Sequence, residues 1–508
     1  MAIITLPRAK RVLEYGGYLK LAPNYSLEGE ALRETCRAAS DLFDKVFGLE
    51  LRASSSVAPD ESFLTPLSET GEERDAAKNA ASGIETVSGD GIFVKYSDSL
   101  SKDEFRLRAD RACLIEASGA EGLFRAFSFI AQASRRTCDG YIEIPKCLVE
   151  DEPDCSFRGF LLDAARRYHP VSQLYEYVDL CSLVGINRFV IHFTDDENYT
   201  LPSKVFPRLT TEGVHYTEEE IRALGKYASC RGVMIIPEID MPGHSAQFQL
   251  KYPEIFGKCG IMDASEEVFS ALGKIYREAS DLFPDSEYIH IGGDEAVLGR
   301  WLDSGVTKEY MSSHGISDIC ELYGHFVGRV AADVISIGKT PIAWEGFGKA
   351  SNGAVPRELL VASFENHYQT ASELVDAGFT IINASWRPLY CVAPWQKWSK
   401  EEILSSSKYV FDHWWEQSKA YNKGVSVPED SPVAGSMLCA WGDYLKNYAS
   451  SRLACRLEWA TVYPRLSALA ENLWNNEPCP GEEFAASFER LEEVLFLVRG
   501  DHPFRGKL

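Results

Sequence analysis

The chain of 508 residues has no run of 18 apolar residues, the length that a membrane-spanning helix needs. It is also poor in positive charge, since 52 basic residues oppose 75 acidic ones and the net charge is −23. Nucleic acids and anionic membranes attract clustered lysine and arginine, so we expect neither as a partner. The 13 cysteines include no CxxC pair, which indicates scattered buried thiols rather than a disulfide framework or a zinc site.

The beginning of the chain has too short an apolar stretch for a secretion signal. The letters MAIITL are followed at once by Pro7 and several charged residues, whereas a signal peptide has a longer apolar region. This start and the cysteine usage are compatible with a cytoplasmic protein. A trimmed leader would instead indicate a secreted or periplasmic protein, so the location stays open. The sequence also leaves open whether the protein is a monomer or a homodimer.

The composition is 45% hydrophobic, which is enough for a large core and for two or more domains. The first 150 residues show an α+β pattern, with strands at 92–96 and 112–116 and a helix at 122–134. Residues 51–89 are rich in Ser, Glu and Ala and are typical of a surface excursion. The acidic link at 149–154 contains a proline and predicts a boundary. We therefore expect an α+β domain over 1–150 and a second domain over 151–508.

The second domain repeats a short apolar run followed by a helical pattern eight times. One helical pattern, 217–230, begins with Thr217 as a predicted N-cap. Eight strand–helix units over this length predict a (β/α)8 barrel. An open doubly wound sheet fits less well, because no glycine-rich dinucleotide loop follows the first strand. The eight apolar runs are 160–162, 189–191, 233–236, 288–289, 341–343, 359–361, 380–382 and 437–439.

Polar and aromatic residues follow these runs, where the carboxyl ends of barrel strands hold the chemistry. After the fourth run the letters HIGGDEA place Asp294 and Glu295 side by side behind two glycines. Carboxylates beside aromatic rings favour a sugar, whose apolar faces stack on rings and whose hydroxyls bind acids. A metal hydrolase is the competing interpretation, although no HExxH pair is present. Its candidate ligands are Asp195, Asp196, Glu238, Asp240 and His244.

HIGGDEA and six further segments resemble glycoside hydrolase family 20, the β-N-acetylhexosaminidases. These segments are FRGFLLDAAR (157–166), NRFVIHFTDD (187–196), VMIIPEIDMPGHS (233–245), TPIAWEG (340–346), AWGDY (440–444) and YPRLSALAENLW (463–474). The resemblance covers about residues 155–475 in the family's order. Residues 1–150 resemble the α+β domain that commonly precedes the barrel in this family.

The resemblance implies a retaining, exo-acting enzyme that removes terminal β-GlcNAc or β-GalNAc by substrate-assisted catalysis. Ordinary retaining glycosidases use a carboxylate nucleophile, but this family uses the substrate's acetamido oxygen, which forms an oxazolinium-like intermediate. Glu295 would be the general acid and then the base, with a pKa raised by a partly desolvated site. Asp294 would hold the acetamido N–H. Gly292 and Gly293 would let the backbone turn tightly.

Other roles are implied by the same resemblance. Arg158 corresponds to the arginine that binds sugar hydroxyls, and Tyr390 to the tyrosine that binds the acetamido carbonyl. Asp195, Asp240 and His244 resemble the network that positions the acid, whereas Glu238 belongs to that network or is only its structural partner. We expect no metal and no cofactor. The expected pocket walls and outer contacts are Trp344, Phe364, Trp386, Trp441 and Asp443, while Trp474 is expected in the core.

Three positions depart from the family pattern. Phe364 and Val392 stand where the family often has Trp and Asp, and Asp443 stands where it often has Glu. Weaker contacts to the outer hydroxyls predict that both β-GlcNAc and β-GalNAc are accepted, unless a nearby residue restores selectivity. The candidates for that are Glu365, Asn366 and His367. Two other functions stay open: a disaccharide-releasing enzyme like a lacto-N-biosidase, and a non-catalytic glycan-binding barrel.

Overall fold

The computed structural model describes residues 3–54, 87–89, 91–394, 398–446, 451–477 and 479–500. Most of the predicted excursion at 51–89 lies outside these residues. Within them the chain forms a mixed sheet followed by a closed barrel. No helix in these segments is both long and apolar enough to span a bilayer.

The first sheet has nine strands and is covered by two helices, α1 (Arg33–Phe47) and α2 (Ala120–Ala133). The predicted helix at 122–134 is confirmed as α2, and the predicted strands at 92–96 and 112–116 as β5 and β7. The strand order is β3-β2-β5-β7-β6-β9-β1-β4, with β8 paired to β9. The strands are β1 (Arg11–Leu21), β2 (Asn24–Glu28), β3 (Arg52–Ala53), β4 (Val87–Gly89), β5 (Ile92–Tyr96), β6 (Phe105–Ala109), β7 (Cys113–Ala117), β8 (Arg135–Arg136) and β9 (Ile142–Asp151).

The transition between sheet and barrel is shorter than the predicted link at 149–154. Strand β9 continues to Asp151, because it pairs with β1 as far as Glu150 and with β6 as far as Asp151. The barrel then begins at Phe157. A residue near the end of the chain also contacts the first domain, since Arg490 donates a hydrogen bond to the Ser134 carbonyl. The division at 150/151 therefore stays a prediction, with the sheet's last strand extending one residue past it.

The barrel contains eight parallel strands, and its closure confirms the predicted (β/α)8 architecture. The last strand pairs with the first, so no edge is left open. All eight apolar runs coincide with these strands to within one residue. The barrel strands are β10 (Phe157–Asp163), β11 (Arg188–His192), β12 (Met234–Glu238), β13 (Tyr288–His290), β14 (Thr340–Trp344), β15 (Leu360–Ser363), β16 (Thr380–Asn383) and β20 (Val433–Ala440).

Helices surround the barrel, and three short strands lie in its last loops. Thr217 is the N-cap of α4, as predicted, and forms a capping box with Glu220. The short strands are β17 (Tyr390–Cys391), β18 (Val410–Phe411) and β19 (Val425–Ser426). The helices are α3 (Val171–Val184), α4 (Glu218–Ser229), α5 (Ala246–Lys251), α6 (Pro253–Phe256), α7 (Glu266–Leu282), α8 (Gly305–His314), α9 (Ile319–Ser336), α10 (Ala371–Asp376), α11 (Lys400–Leu404), α12 (Arg452–Trp474) and α13 (Gly481–Arg499), with 3-10 turns at Leu298–Asp303 and Lys349–Ser351.

Apolar side chains fill the barrel interior, so the lumen is not a channel. Inward-facing Leu161, Val190, Ile236, Ile342 and Met437 form one buried cluster. Alternate residues of the same strands, such as Phe160 and Phe189, belong instead to the layer between barrel and helices. The carboxyl ends of the strands form an open cup.

Closure of the barrel places Gly435 in the left-handed region, with φ +156°, opposite Phe157. A methyl group there would lie 1.8 Å from the Phe157 carbonyl oxygen. We expect Gly435→Ala to lower the free energy of unfolding by about 3 kcal/mol through this overlap and the backbone strain. Urea denaturation measures the change. Gly225→Ala in α4 is the matched control, because its methyl meets nothing within 4 Å, and equal losses in both variants would contradict the prediction.

Candidate active site

A pocket of about 480 Å³ opens at the carboxyl ends of the barrel strands. Its walls combine acids, cations and aromatic rings, as the strand ends predict. The residues that line it are Arg166, His244, Asp294, Glu295, Phe364, Trp386, Tyr390, Val392, Trp398, Trp414, Trp441, Asp443 and Tyr444.

The two adjacent carboxylates at the end of β13 have different environments. Asp294 is only 8% exposed, whereas the Glu295 side chain is 57% exposed. The glycines before them make this possible, since Gly292 has φ +67° and Gly293 has φ +101°. A methyl group on Gly292 would lie 1.7 Å from Asp240 Oδ1. A side chain on residue 292 would therefore exclude Asp240 from its place behind the pair.

His244 connects Glu295 to a buried carboxylate. Its Nδ1 lies 3.3 Å from Asp195 Oδ1, and its Nε2 lies 3.5 Å from Glu295 Oε2. Burial opposes the charged imidazolium, but hydrogen bonds to both carboxylates raise its pKa well above the usual range. The hydrogen bond from His244 in turn lowers the pKa of Glu295, against a smaller effect of burial. The raised pKa predicted for Glu295 is thus wrong for this structure, in which the pKa is lowered.

Asp240 and Asp294 form a second carboxylate pair on the inner side. Asp240 Oδ1 accepts a hydrogen bond from the Gly293 amide at 2.9 Å, while Asp240 Oδ2 and Asp294 Oδ1 are buried without a hydrogen-bond partner in the described chain. Burial raises the pKa of both groups, and the charge of Asp294 raises that of Asp240 further. Two like charges so close cannot both ionise easily. We assign the proton to Asp240, because burial and the charge of Asp294 raise its pKa well above the usual range, whereas His244 lowers the pKa of both acids.

Beneath these groups Glu238 is fully buried and surrounded by donors. Trp344 Nε1 donates to Glu238 Oε1 at 2.7 Å, and two imidazole nitrogens lie within 3.2 Å of its oxygens, from His192 and His290. Glu238 does not line the pocket, so its place is that of a structural support. Trp344 is also buried behind the wall, against Trp441 and Phe364, and this corrects the prediction that it lines the pocket.

Arg158 does not lie in the cup, which corrects its prediction as the sugar-binding arginine. It stands near the amino end of β10 and is only 1% exposed. Because side chains alternate along a strand, it points away from the barrel interior that holds Leu161. Its guanidinium donates to the carbonyls of Cys155 and Gly185 and to Asp103.

Arg166, at the opposite end of the same segment, lies in the cup instead. Its Nη2 lies 2.8 Å from Asp195 Oδ2, its Nη1 donates to Asp163 at 3.3 Å, and its Nε lies 3.7 Å from Asp443 Oδ1. Its guanidinium also lies 5.3 Å from the centre of the Trp441 ring. The sequence contained a signal that distinguishes the two arginines. Arg166 follows the carboxyl end of the first strand, where the cup forms, whereas Arg158 lies near the amino end of that strand.

Aromatic rings form the rest of the wall. Tyr390 stacks on Trp386 with ring centres 5.0 Å apart, and Trp441 lies 6.0 Å from Tyr390. Besides Arg166, the prediction omitted Trp398, Trp414 and Tyr444 from the lining. Trp398 and Trp414 belong to loops, and Tyr444 comes four residues after the end of β20.

The three departures from the family pattern can be compared with the pocket. Phe364, Val392 and Asp443 all line it, whereas none of the proposed substitutes does. Asn366 is buried and accepts a hydrogen bond from the Ala371 amide. Glu365 is half-buried behind Phe364, and burial together with the charges of Glu295 and Asp294 raises its pKa to about 7.

Metal-ligating side chains also converge here, in three groups whose donor atoms lie within 4.8 Å of one another in the described chain. Both imidazoles of these groups, His192 and His244, have a carboxylate oxygen within 3.5 Å of each ring nitrogen. The two rings therefore already belong to a hydrogen-bonded network of carboxylates. The groups are His192, Glu238 and Asp240; Asp195, Asp196 and His244; and Asp240, His244 and Asp294.

Comparison with known proteins places this site in a family. Residues 155–477 match the sequence profile described as "Glycosyl hydrolase family 20, catalytic domain". The chain belongs to glycosyl hydrolase family 20. The match begins with the first barrel strand and ends after α12, so it contains every strand end that forms the cup.

Two bacterial beta-hexosaminidases are among the relatives of this family 20 chain. The Vibrio furnissii protein is 28% identical over 421 residues, which are 75% of this chain and 66% of that protein. The Porphyromonas gingivalis protein is 28% identical over 448 residues, or 81% of this chain and 56% of that protein. The chain thus spans between about half and two thirds of their length.

Solved family 20 structures share the fold. An exo beta-N-acetylglucosaminidase from Vibrio harveyi, in complex with N-acetylglucosamine, superposes with a TM-score of 0.77 at 20% identity, covering 99% of this chain and 80% of that one. A beta-N-acetylhexosaminidase from Bacteroides fragilis gives 0.73 at 20% identity, covering 99% and 97%.

The charge of His244 is a testable property of the family 20 site. We expect both ring nitrogens of His244 to stay protonated at about pH 8, where an unperturbed histidine is neutral. NMR of histidine labelled with ¹⁵N in the ring reports the state, and His244→Gln assigns the signal. Asp195→Asn should lower the pKa of His244, because it removes a negative charge 3.3 Å away. A neutral His244 ring at pH 7 would contradict the described network.

Proposed function

We propose that the protein is a retaining, exo-acting β-N-acetylhexosaminidase that works by substrate-assisted catalysis. The observation that carries this proposal is the pair Asp294 and Glu295, one buried and one accessible, at the end of a barrel strand in an aromatic pocket. The family membership and the names of the relatives support the same activity. A terminal sugar enters such a one-ended cup with its reducing side outward, which favours exo cleavage.

The inner carboxylate suits the role of guiding the acetamido group. Asp294 Oδ1 is buried and accepts no hydrogen bond from the described residues, so an acetamido N–H would satisfy it. Tyr390, on the facing wall, would donate its hydroxyl to the acetamido carbonyl oxygen. That oxygen then attacks the anomeric carbon, an oxazolinium ring closes, and the bond to the leaving oxygen breaks. The negative charge of Asp294 stabilises the positive charge of the ring.

The outer carboxylate suits proton transfer. In this structure the pKa of Glu295 is lowered by His244, whose Nε2 lies 3.5 Å from Glu295 Oε2. A bound sugar displaces water from the exposed Glu295 side chain, and this desolvation raises the pKa, so that the acid form becomes available. Glu295 gives its proton to the leaving oxygen. It then takes a proton from water, which opens the ring with overall retention of configuration.

Arg166 and Asp443 would bind the outer hydroxyls of the same sugar, with Trp441 beneath its apolar face. Arg166 already forms contacts with Asp163 and Asp195, and these hold its guanidinium in place before a ligand arrives. Such preorganisation reduces the entropy lost on binding.

Hydrolysis of aryl β-N-acetylglucosaminide tests the proposal directly. We expect turnover, and NMR of the first-formed product should show the β-anomer. A thiazoline analogue of the intermediate should inhibit competitively. Sugar binding without turnover between about pH 4 and 8 would instead favour a non-catalytic glycan-binding barrel. A trapped covalent glycosyl-enzyme would contradict the substrate-assisted mechanism.

The two carboxylates should respond differently to substitution. Glu295→Gln should lower kcat/KM by at least about a hundredfold for poor leaving groups, and much less for activated aryl glycosides that need no proton. Asp294→Asn should lower kcat/KM by about a hundredfold for both substrates, because it acts on ring closure. Parallel kinetics on the two substrates measure the contrast. The same leaving-group dependence in both variants would refute the assigned roles.

The outer rim should tolerate both epimers at C4. Val392 offers no hydrogen bond from its side chain, and Asp443 is shorter than glutamate, so neither epimer leaves a buried polar group unpaired. We expect kcat/KM for aryl β-GlcNAc and β-GalNAc to agree within about tenfold, or about 1.4 kcal/mol. A preference beyond about a hundredfold would contradict this and indicate a replacement carboxylate. Glu365→Gln, which lies behind Phe364, would then test whether Glu365 supplies it.

A further inference from the structure

A buried ion cluster lies directly behind the cup and takes no part in the chemistry proposed above. Its centre is Glu458 in α12, which is only 2% exposed. Four side chains from the loop after β10 and from α3 converge on its Oε2 atom. They are Arg167 (Nη1, 2.6 Å), His169 (Nε2, 2.8 Å), Tyr177 (hydroxyl, 2.9 Å) and Gln173 (Nε2, 3.4 Å).

The cluster depends on a charged pair. Burial opposes ionisation of Glu458, but the neighbouring side chains of His169 and Arg167 lower its pKa below the usual range. Burial also lowers the pKa of His169, so we assign the lasting positive charge to Arg167. Removing one partner of a buried pair leaves the other charge uncompensated. The position of Arg167 is therefore tied to the carboxylate of Glu458.

Arg167 adjoins the cup in two ways. It follows Arg166, and the two side chains point in opposite directions, one to the sugar side and one to α12. Arg167 also lies against Gly442, where an added methyl group would be 2.9 Å from the Arg167 Cβ. The Gly442 amide donates to Asp163 Oδ2 at 3.0 Å. The cluster thus supports the ends of both the first and the last barrel strand.

We propose that Glu458 is a positioning residue for sugar binding. By holding Arg167, it fixes the neighbouring Arg166 and the segment around Gly442 that carries Trp441 and Asp443. This inference rests on the proposed function, since Arg166 and Asp443 are there the groups that bind the outer hydroxyls. The inference makes Glu458 a residue that affects the affinity for the sugar from outside the pocket, on a helix that contributes no lining residue.

Glu458→Gln tests the inference, because it keeps the shape of the side chain and removes its charge. We expect KM for aryl β-N-acetylglucosaminide to rise about tenfold while kcat changes less than about twofold, since an outer-hydroxyl contact acts on ground and transition states alike. A variant that merely folds less well would instead show a lower active fraction at unchanged KM. Counting active sites with the thiazoline inhibitor separates the two.

Glu471→Gln is the matched control. Glu471 lies on the same helix, is 1% exposed and pairs with an arginine, Arg8, at 2.7 Å. That pair connects the helix to the start of the chain, not to the cup. We expect this control to lose stability by a similar amount in thermal unfolding and to keep the wild-type KM.

The decisive measurement is the effect of Glu458→Gln on KM in the presence and in the absence of the Arg166 side chain. Arg166→Ala alone should raise KM, and adding Glu458→Gln should then raise it much less than Glu458→Gln does in the wild type, because only the route through Gly442 remains. An unchanged KM in Glu458→Gln, or a full additional effect in the double variant, would overturn the inference. Should Glu458→Gln fail to fold, Tyr177→Phe removes one donor from the same oxygen, and an unchanged KM in that variant would also overturn it.

The proposed function can fail separately. If the wild type binds N-acetylglucosamine without turnover, the same variants are compared by calorimetric Kd, with the same tenfold weakening expected for Glu458→Gln. If the wild type neither binds nor hydrolyses the sugar, the proposed function and the inference both fall.

Discussion

The cup of this barrel depends on the neutralisation of Asp195. This buried carboxylate lies 2.8 Å from Arg166, 2.9 Å from His192 and 3.3 Å from His244. The three cations come from the ends of three different strands, so the Asp195 carboxylate connects these three strand ends. Without such pairing, burying a carboxylate would cost several kcal/mol or force it to take up a proton. The acidic cup is therefore stable only as a network, and the charges of Asp294 and Glu295 depend on that network.

The carboxylates of the network differ in their pKa values and therefore in their protonation. Asp240 is enclosed and takes the proton, while Glu295 faces solvent and the His244 imidazolium, which lowers its pKa. Glycine makes this arrangement possible, since Asp240 occupies the space where a side chain on residue 292 would lie. Under the proposed function, a bound sugar would exclude water from Glu295 and so change the charges of this network. Such coupling between binding and protonation is how a carboxyl group comes to act as an acid near neutral pH.

Support for the cup extends through two further layers. Glu238, with Trp344 and two imidazoles, supports the floor from inside the barrel. Glu458, with Arg167, supports one rim from the helix layer. Both acids are buried and neither lines the pocket. Burial of a carboxylate costs free energy. Glu238 and Glu458 are each surrounded by hydrogen-bond donors from separate elements.

The sequence alone determined the barrel, because parallel strands buried on both faces produce continuous apolar runs that can be counted. It also located Asp294, Glu295, Tyr390, Trp441 and Asp443 in one cup, since the carboxyl ends of barrel strands necessarily meet at one face. Tertiary structure decided the rest. Arg158 and Arg166 belong to the same segment, but strand alternation turns one toward the helices and leaves the other at the strand end. The pKa of Glu295 depends on an imidazole that is remote in sequence and adjacent only after folding, and the loop tryptophans reach the wall through turns that have no periodic pattern to predict them.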